Sequence, residues 1–263
     1  GAARRQHVMA MGGDDTLARR AEEAGLNASA PPQQAQIDGW LLRLSPGKAK
    51  RSRCVNALAA GTLPLPQLLA RCQRSFDAAG LPLIVRITPF SQPADLDQQL
   101  AAMGWFDFDA ADVMLRPTLD GLPEDVALEA MAAASYAQMV GALRGSSPVE
   151  IAAHAERMEQ APVRYQGFVL RQQDGRLQAC GQMVVEAGMV GLFDIFTPPD
   201  QRGQGHALRL CAALLHRARR QGAETAYLQV GCDNLVAQRV YARLGFGFAY
   251  RYHYRSNNPA AAD

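Results

Sequence analysis

One segment narrows the choice of folds for this chain more than any other. An apolar run from Met189 to Thr197 passes through Pro198-Pro199-Asp200-Gln201-Arg202-Gly203-Gln204-Gly205-His206 straight into an amphipathic stretch. A run apolar on both faces reads as a strand inside a sheet, and a helix entered at once from its end must lie across that sheet. The helix, predicted over 207–221, gathers Ala207, Leu208, Cys211, Leu214, Leu215 and Ala218 on one face and stops at Gly222. Gly203 and Gly205 let the backbone turn tightly with its N–H groups converging, and the helix start adds unpaired N–H groups and a positive dipole end. Such a turn suits phosphate oxygens. It lacks the Gly-Lys-Ser/Thr ending of a Walker A loop and the Gly-x-Gly-x-x-Gly of a dinucleotide fingerprint. By itself it reads equally well as a plain strand-to-helix turn shaped by glycines.

Around this segment the pattern is α/β throughout. Helical spacing over 14–26 ends at Gly25 and gives way to Pro31-Pro32. Strands at 40–44 and 53–58 flank the turn Ser45-Pro46-Gly47 as a hairpin. A helix at 66–79, a buried strand at 83–88, a helix at 95–103 and an extended run at 105–115 follow. Pro117 to Pro123 is the clearest boundary. Beyond it come helices at 131–143 and 148–159, an antiparallel meander of 166–172, 177–186 and 189–197, then the helix of the glycine turn, a strand at 225–230, a helix at 235–243 and a strand at 247–255. The two halves echo each other: helix, strand, turn and helix lead to Met103-Gly104-Trp105-Phe106 in one and to Leu244-Gly245-Phe246 in the other. No counterpart of Arg202-Gly203-Gln204-Gly205 precedes the first half's helix.

The 263 residues suit a pair of domains, and 48% hydrophobic with 20% charged residues can fill their cores. A formal net charge of +2, with basic clusters only at Lys48–Arg53 and Arg217–Arg220, argues against nucleic acid and against a membrane surface as partners. Five scattered cysteines without a Cys-x-x-Cys pair read as reduced thiols and supply no metal site. No apolar run reaches the length of a membrane span and no signal peptide is visible, so a cytoplasmic location is expected.

The order strand, Arg202-Gly203-Gln204-Gly205-His206-Ala207, helix, strand, Asp233-Asn234-Leu235-Val236-Ala237, then Tyr241-Ala242-Arg243-Leu244-Gly245-Phe246 resembles the GNAT superfamily of N-acetyltransferases over about half the chain. The resemblance implies the acyl-CoA N-acyltransferase fold, a mixed and mostly antiparallel sheet flanked by helices, here with two related units in tandem. It implies acetyl-CoA as co-substrate, its pyrophosphate on the main chain of Arg202, Gly203, Gln204, Gly205, His206 and Ala207. Its pantetheine would lie along Phe196 and Thr197, where the strand splays from its neighbour, with Asn234 as a further contact. Asn234 is equally placed to cap the helix after it. Tyr241 takes the general-acid role by the same resemblance. It also belongs to an apolar stripe with Ala237, Val240 and Leu244, where a tyrosine is often core.

For the general base, Asp194 stands first, because a carboxylate within Leu192-Phe193-Asp194-Ile195-Phe196 is costly without a partner or a task. Glu186 stands second. The other histidines, His154 among them, read as surface or packing residues. The acceptor pocket is expected from the helices between Met131 and Glu159, from Tyr250, Tyr252 and Tyr254, which would suit a hydrophobic or cationic amine, and from the first domain.

The expected organisation is a tail and helix over 1–30, a degenerate unit over 31–118, a catalytic unit over 122–255 and a tail over 256–263. The expected reaction is acetyl transfer from acetyl-CoA to an amine, on a small molecule or a protein, by direct attack in a ternary complex. A CoA-binding regulatory module without turnover, or transfer of a different acyl group, are the alternatives.

Overall fold

The computed structural model describes residues 15–263. The tail expected ahead of the first helix lies outside them. The helix α1 (Asp15–Ala28) leads to β1 (Gln34–Ile37), β2 (Trp40–Arg43), β3 (Val55–Asn56), α2 (Leu65–Ala78), β4 (Val85–Ile87), α3 (Leu96–Ala102) and β5 (Phe106–Arg116). The second half contains β6 (Glu129–Met131), α4 (Ala133–Arg144), α5 (Pro148–Gln160), β7 (Tyr165–Arg171), β8 (Leu177–Glu186) and β9 (Met189–Phe196). It closes with α6 (His206–Arg220), β10 (Thr225–Gly231), α7 (Leu235–Arg243) and β11 (Gly247–Ser256). Helix starts carry the expected signals: Ser147 caps α5, its hydroxyl accepting from the N–H of Glu150 while Glu150 returns a bond to the N–H of Ser147. Strand β1 has half-exposed alternation and no apolar signature, which is why sequence patterning passes over it.

All the strands join one 11-stranded sheet in the order β1-β2-β3-β4-β11-β5-β10-β9-β8-β7-β6. Only β3 with β4 and β9 with β10 run parallel; every other neighbouring pair is antiparallel. Read inward from either edge, the halves repeat one plan, with α2 crossing between β3 and β4 as α6 crosses between β9 and β10. The plan carries an exchange. Strand β5, last of the first half, pairs with β10 of the second, while β11, last of the second, pairs with β4 of the first. The break at Pro117 to Pro123 therefore divides the sequence and not the sheet: β5 and β11 also pair with each other across the centre.

The cores follow this arrangement. One cluster packs α6 and α7 on the second half's strands, another packs α2 and α3 on the first half's, and a third, with Val113, Leu115, Tyr250, Tyr252 and Tyr254, lies where the exchanged strands meet α1. Within that third region Glu22 of α1 is buried with Arg86 of β4 and the hydroxyl of Tyr250 of β11, both of which donate to its carboxylate. Burial alone would raise the pKa of Glu22, and the Arg86 charge and the two donors more than reverse it, so the carboxylate stays ionised.

Candidate active site

The parallel pairing of β9 with β10 ends at Leu192 opposite Leu228, although β10 continues to Gly231 along β5. Beyond that point β9 parts from β10 while staying paired with β8 as far as Phe196. Its partner β8 shows a register shift in which Asp194 and Ile195 together oppose Gly181, a β-bulge. Asp194 sits in the bulge at φ 55°, a left-handed conformation rare for a side-chain-bearing residue. Two features hold it: Gly181, where a Cβ would fall 2.5 Å from Ile195 Cδ1, and the buried Tyr136 of α4, whose hydroxyl donates to the Asp194 carbonyl at 3.2 Å.

The parting strands open a cavity of about 520 Å³. Its walls come from β9 (Leu192 to Ile195), β10 (Leu228 to Gly231), α4 and α5 (Val140, Arg144, His154, Arg157), α7 (Asn234, Ala237, Tyr241) and the first half's segment Gly47 to Arg51. The segments expected to build an acceptor pocket thus contribute, but the aromatic tail does so only through Tyr252. The rings of Tyr250 and Tyr254 are buried in the core, and the face of Tyr252 is already covered by the Arg86 guanidinium at 4.1 Å. A cation-receiving tail is therefore not what this strand provides.

Tyr241 is 9% exposed, lies edge-on to Phe246 at 6.2 Å, and has no hydrogen-bond partner for its hydroxyl among the described residues. Burial, with Cys211 adding to it and Arg144 opposing it, pushes the phenol pKa up, so it holds its proton at neutral pH. Asp194 makes an ion pair with Arg144 at 2.8 Å and lies 3.8 Å from His154 Nε2. His154 is the lining residue that sequence reasoning set aside. Burial lowers its pKa, Arg157 lowers it further, and Asp194 opposes both, leaving the imidazole neutral at pH 7. Nothing in its local sequence signals this, because its neighbours in space lie on α4, β8 and β9.

Glu186 is not brought to the cavity. It ends β8 opposite Met189, five residues and roughly 16 Å along the strand from Asp194, and its carboxylate accepts from Asn27 Nδ2 at 2.7 Å.

Phe196 and Thr197 continue β9 past the cavity into the glycine turn, which lies beyond the cavity wall. Arg202 Nε donates to the Thr197 carbonyl at 3.1 Å and closes the turn on itself. Gly203 (φ 76°) and Gly205 (φ 78°) both take the left-handed conformation, with Gly205 capping α6. Among the described residues no backbone carbonyl meets the N–H groups of Gly203, Gln204, Gly205, His206 or Ala207. The first turn of α6 has no acidic side chain to meet its dipole. His206 is buried with its ring Nδ1 2.5 Å from Arg209 and its Nε2 without a partner; burial and then Arg209 lower its pKa. The first half answers the same problem internally. In its β3–α2 connection the N–H groups of Thr62 and Leu63 donate, at 3.0 Å and 2.9 Å, to the carboxylate of Asp38 in the β1–β2 turn, bonds that lower the Asp38 pKa. One connection is met by a carboxylate from the neighbouring β1–β2 turn and the other leaves its donors open.

Asn234 caps α7, its Oδ1 accepting from the Ala237 N–H at 3.2 Å, and still lines the cavity. Asp194, Asn234 and Tyr241 thus share one cavity, whereas Phe196 to Ala207 are not among the residues that line it.

A sheet that opens between two parallel strands, with unfilled main-chain donors at the helix joining them, is the arrangement expected of the acyl-CoA N-acyltransferase fold. Residues 138–246 match the model of the Acetyltransferase (GNAT) family. It is 27% identical over 229 residues to the uncharacterized N-acetyltransferase YobR of Bacillus subtilis (strain 168), covering 84% of this chain and 91% of that protein. A GCN5-related N-acetyltransferase from Kribbella flavida shares the fold with a TM-score of 0.64 at 18% identity, over 92% of this chain and 95% of its own. A tandem GNAT protein from the clavulanic acid biosynthesis pathway matches with a TM-score of 0.57 at 17% identity, over 72% of this chain and 68% of its own. Among the described residues no helix is long and apolar enough to cross a membrane, and no group of side chains could hold a metal ion.

Proposed function

We propose that this protein transfers the acetyl group of acetyl-CoA to a primary amine by direct attack in a ternary complex, with Tyr241 as general acid. The observation that carries the reading is the Tyr241 hydroxyl: protonated, without a partner among the described residues, and on the wall of the cavity where β9 and β10 part. The open N–H groups from Gly203 to Ala207 suit the pyrophosphate, and the free edge of β9 at Phe196 and Thr197 suits the amide groups of the pantetheine arm. The side-chain amide of Asn234 keeps its N–H donors for the same arm.

In this reading the amine nitrogen bonds to the acetyl carbon as the carbon–sulfur bond breaks. The departing sulfur takes the phenolic proton of Tyr241, which solvent then restores. The amine gives its proton to His154, whose neutral ring lies beside the Asp194 carboxylate; Asp194, fixed by Arg144, steadies the imidazolium that forms. An acetyl-cysteine intermediate has less support, since burial pushes the thiols of Cys180 and Cys211 up to about 11 and about 12.

The test is Tyr241→Phe. Acetyl transfer, read by thiol release, is expected to fall about 100-fold in kcat, while thermal protection by acetyl-CoA persists. Unchanged turnover with intact binding would remove Tyr241 from the chemistry. Absence of turnover in the unaltered protein, despite tight binding, would favour a CoA-binding regulatory module.

A further inference from the structure

The charge on the cavity wall is lopsided. Lys48, Lys50, Arg51, Arg144 and Arg157 face Glu150 and Asp194. Arg144 is taken by Asp194 at 2.8 Å and Lys50 by Asp109 at 2.6 Å, while Glu150 is engaged in the cap of α5. What remains is Lys48 and a pair of guanidinium groups. Among the described residues the Arg51 guanidinium meets the Gln229 side-chain oxygen, at 3.4 Å, and the face of Phe193, 5.1 Å from its ring centre. Arg157 is 8% exposed and donates to the hydroxyl of Ser52 at 3.0 Å, which brings it beside Arg51, and its Nε has no partner. Among the described residues neither has a carboxylate within ion-pair distance, nor has Lys48. A buried guanidinium without a counter-charge is costly to a fold, and two side by side repel. The repulsion is felt: burial and the Arg51 charge together lower the Arg157 pKa, against the pull of Tyr165 and Asp194.

Resting on the acetyl-transfer reading, we propose that the acceptor is a small primary amine that also bears an anion, a carboxylate or a phosphate, held between Arg51 and Arg157. The anion completes the ion pairs that the protein leaves open, and guanidinium forks suit the two oxygens of either group. The amine then points away from the first half's wall toward His154 and Tyr241. A cavity of about 520 Å³ that must also admit the thioester leaves room for a metabolite-sized acceptor. The first half thereby acquires a task in selecting the acceptor, because Arg51 and the Ser52 that positions Arg157 both lie in its β2–β3 connection.

Matched amines test this: β-alanine against β-alaninamide, phosphoethanolamine against ethanolamine, and spermidine as a polycation, each assayed with acetyl-CoA by thiol release. Anion-bearing members should exceed their counterparts lacking the anion in kcat/KM by about tenfold or more, and the two acids compared with each other identify carboxylate or phosphate as the preferred group. Arg51→Gln should erase the preference through KM, and Arg51→Lys should restore part of it, with thermal protection by acetyl-CoA retained in both. Arg51 is used because it is only half-buried, whereas replacing Arg157 endangers the fold. The anion site is judged separately from catalysis by the rise in Tm that β-alanine or inorganic phosphate gives the unaltered protein and not Arg51→Gln. Preference for β-alaninamide, ethanolamine or spermidine, a preference untouched by Arg51→Gln, or no anion-bearing amine acetylated or stabilising, each overturns the proposal. Loss of acetyl-CoA protection and thiol release with the anion-induced Tm rise intact would overturn the acetyl-transfer reading instead.

Discussion

At the residue scale, the chemistry proposed for this protein rests on protonation states set by burial. Tyr241 keeps a proton to give, and His154 keeps a lone pair to receive one. Facing His154 are Arg157 from its own helix, Arg144 from α4, Gln182 from β8 and Asp194 from β9. Its ordinary pKa is 6.5 and the fold lowers it, so the neutral form survives to more acid pH than for a free histidine. The acid limb of kcat/KM is therefore expected below pH 6.5, and His154→Gln should remove that limb together with about 100-fold of the rate. A pH–rate profile of the variant with its limb in place would exclude His154 as the base. Tyr241 could be singled out in the sequence because the motif that carries it is short and contiguous. His154 could not, since its meaning comes from Asp194, which is 40 residues away in the chain and 3.8 Å away in space.

At the element scale, the strand, glycine turn and helix act as one device. A Cβ at Gly205 would meet nothing within 4 Å, so Gly205→Ala introduces no clash and acts only through the backbone, which at φ 78° disfavours a side chain. That conformation costs about 1–2 kcal/mol for a non-glycine residue. The expected outcome is about a tenfold weaker affinity for acetyl-CoA, since about 1.4 kcal/mol is tenfold in Kd, and a fall in Tm of about 2–4 °C per kcal/mol. Calorimetric titration checks the first and a thermal melt the second. Equal affinity in the variant would mean that the turn's main-chain donors do not grip the cofactor. This device was legible from residue types alone because all its parts adjoin in sequence: the apolar run, the two glycines and the one-sided helix. The bulge at Asp194 was not, because it exists only relative to the register of β8 and the hydroxyl of Tyr136.

At the scale of the whole molecule, the exchange of last strands makes the halves depend on each other. Strand β5 is held by β10 on one side and β11 on the other, and it buries Val113 and Leu115 between them. A fragment of residues 122–263 would leave β10 an unpaired edge and β11 without either neighbour, so it is expected to lack cooperative unfolding by circular dichroism and to recover it on co-expression with residues 1–121. A cooperatively folded 122–263 fragment that binds acetyl-CoA would contradict this. What the sequence by itself determined is everything encoded in a local period or a contiguous motif: nearly all the helices and strands, the paired plan of the halves, the glycine turn and the family resemblance. Only the tertiary structure decided which strand lies beside which, because pairing partners far apart in the chain leave no local pattern, and the exchange of β5 and β11 shows only in the shared sheet. The same packing sets Arg51 of one half beside Arg157 of the other, 106 residues on in the chain, and such a distance no pattern of neighbours can express.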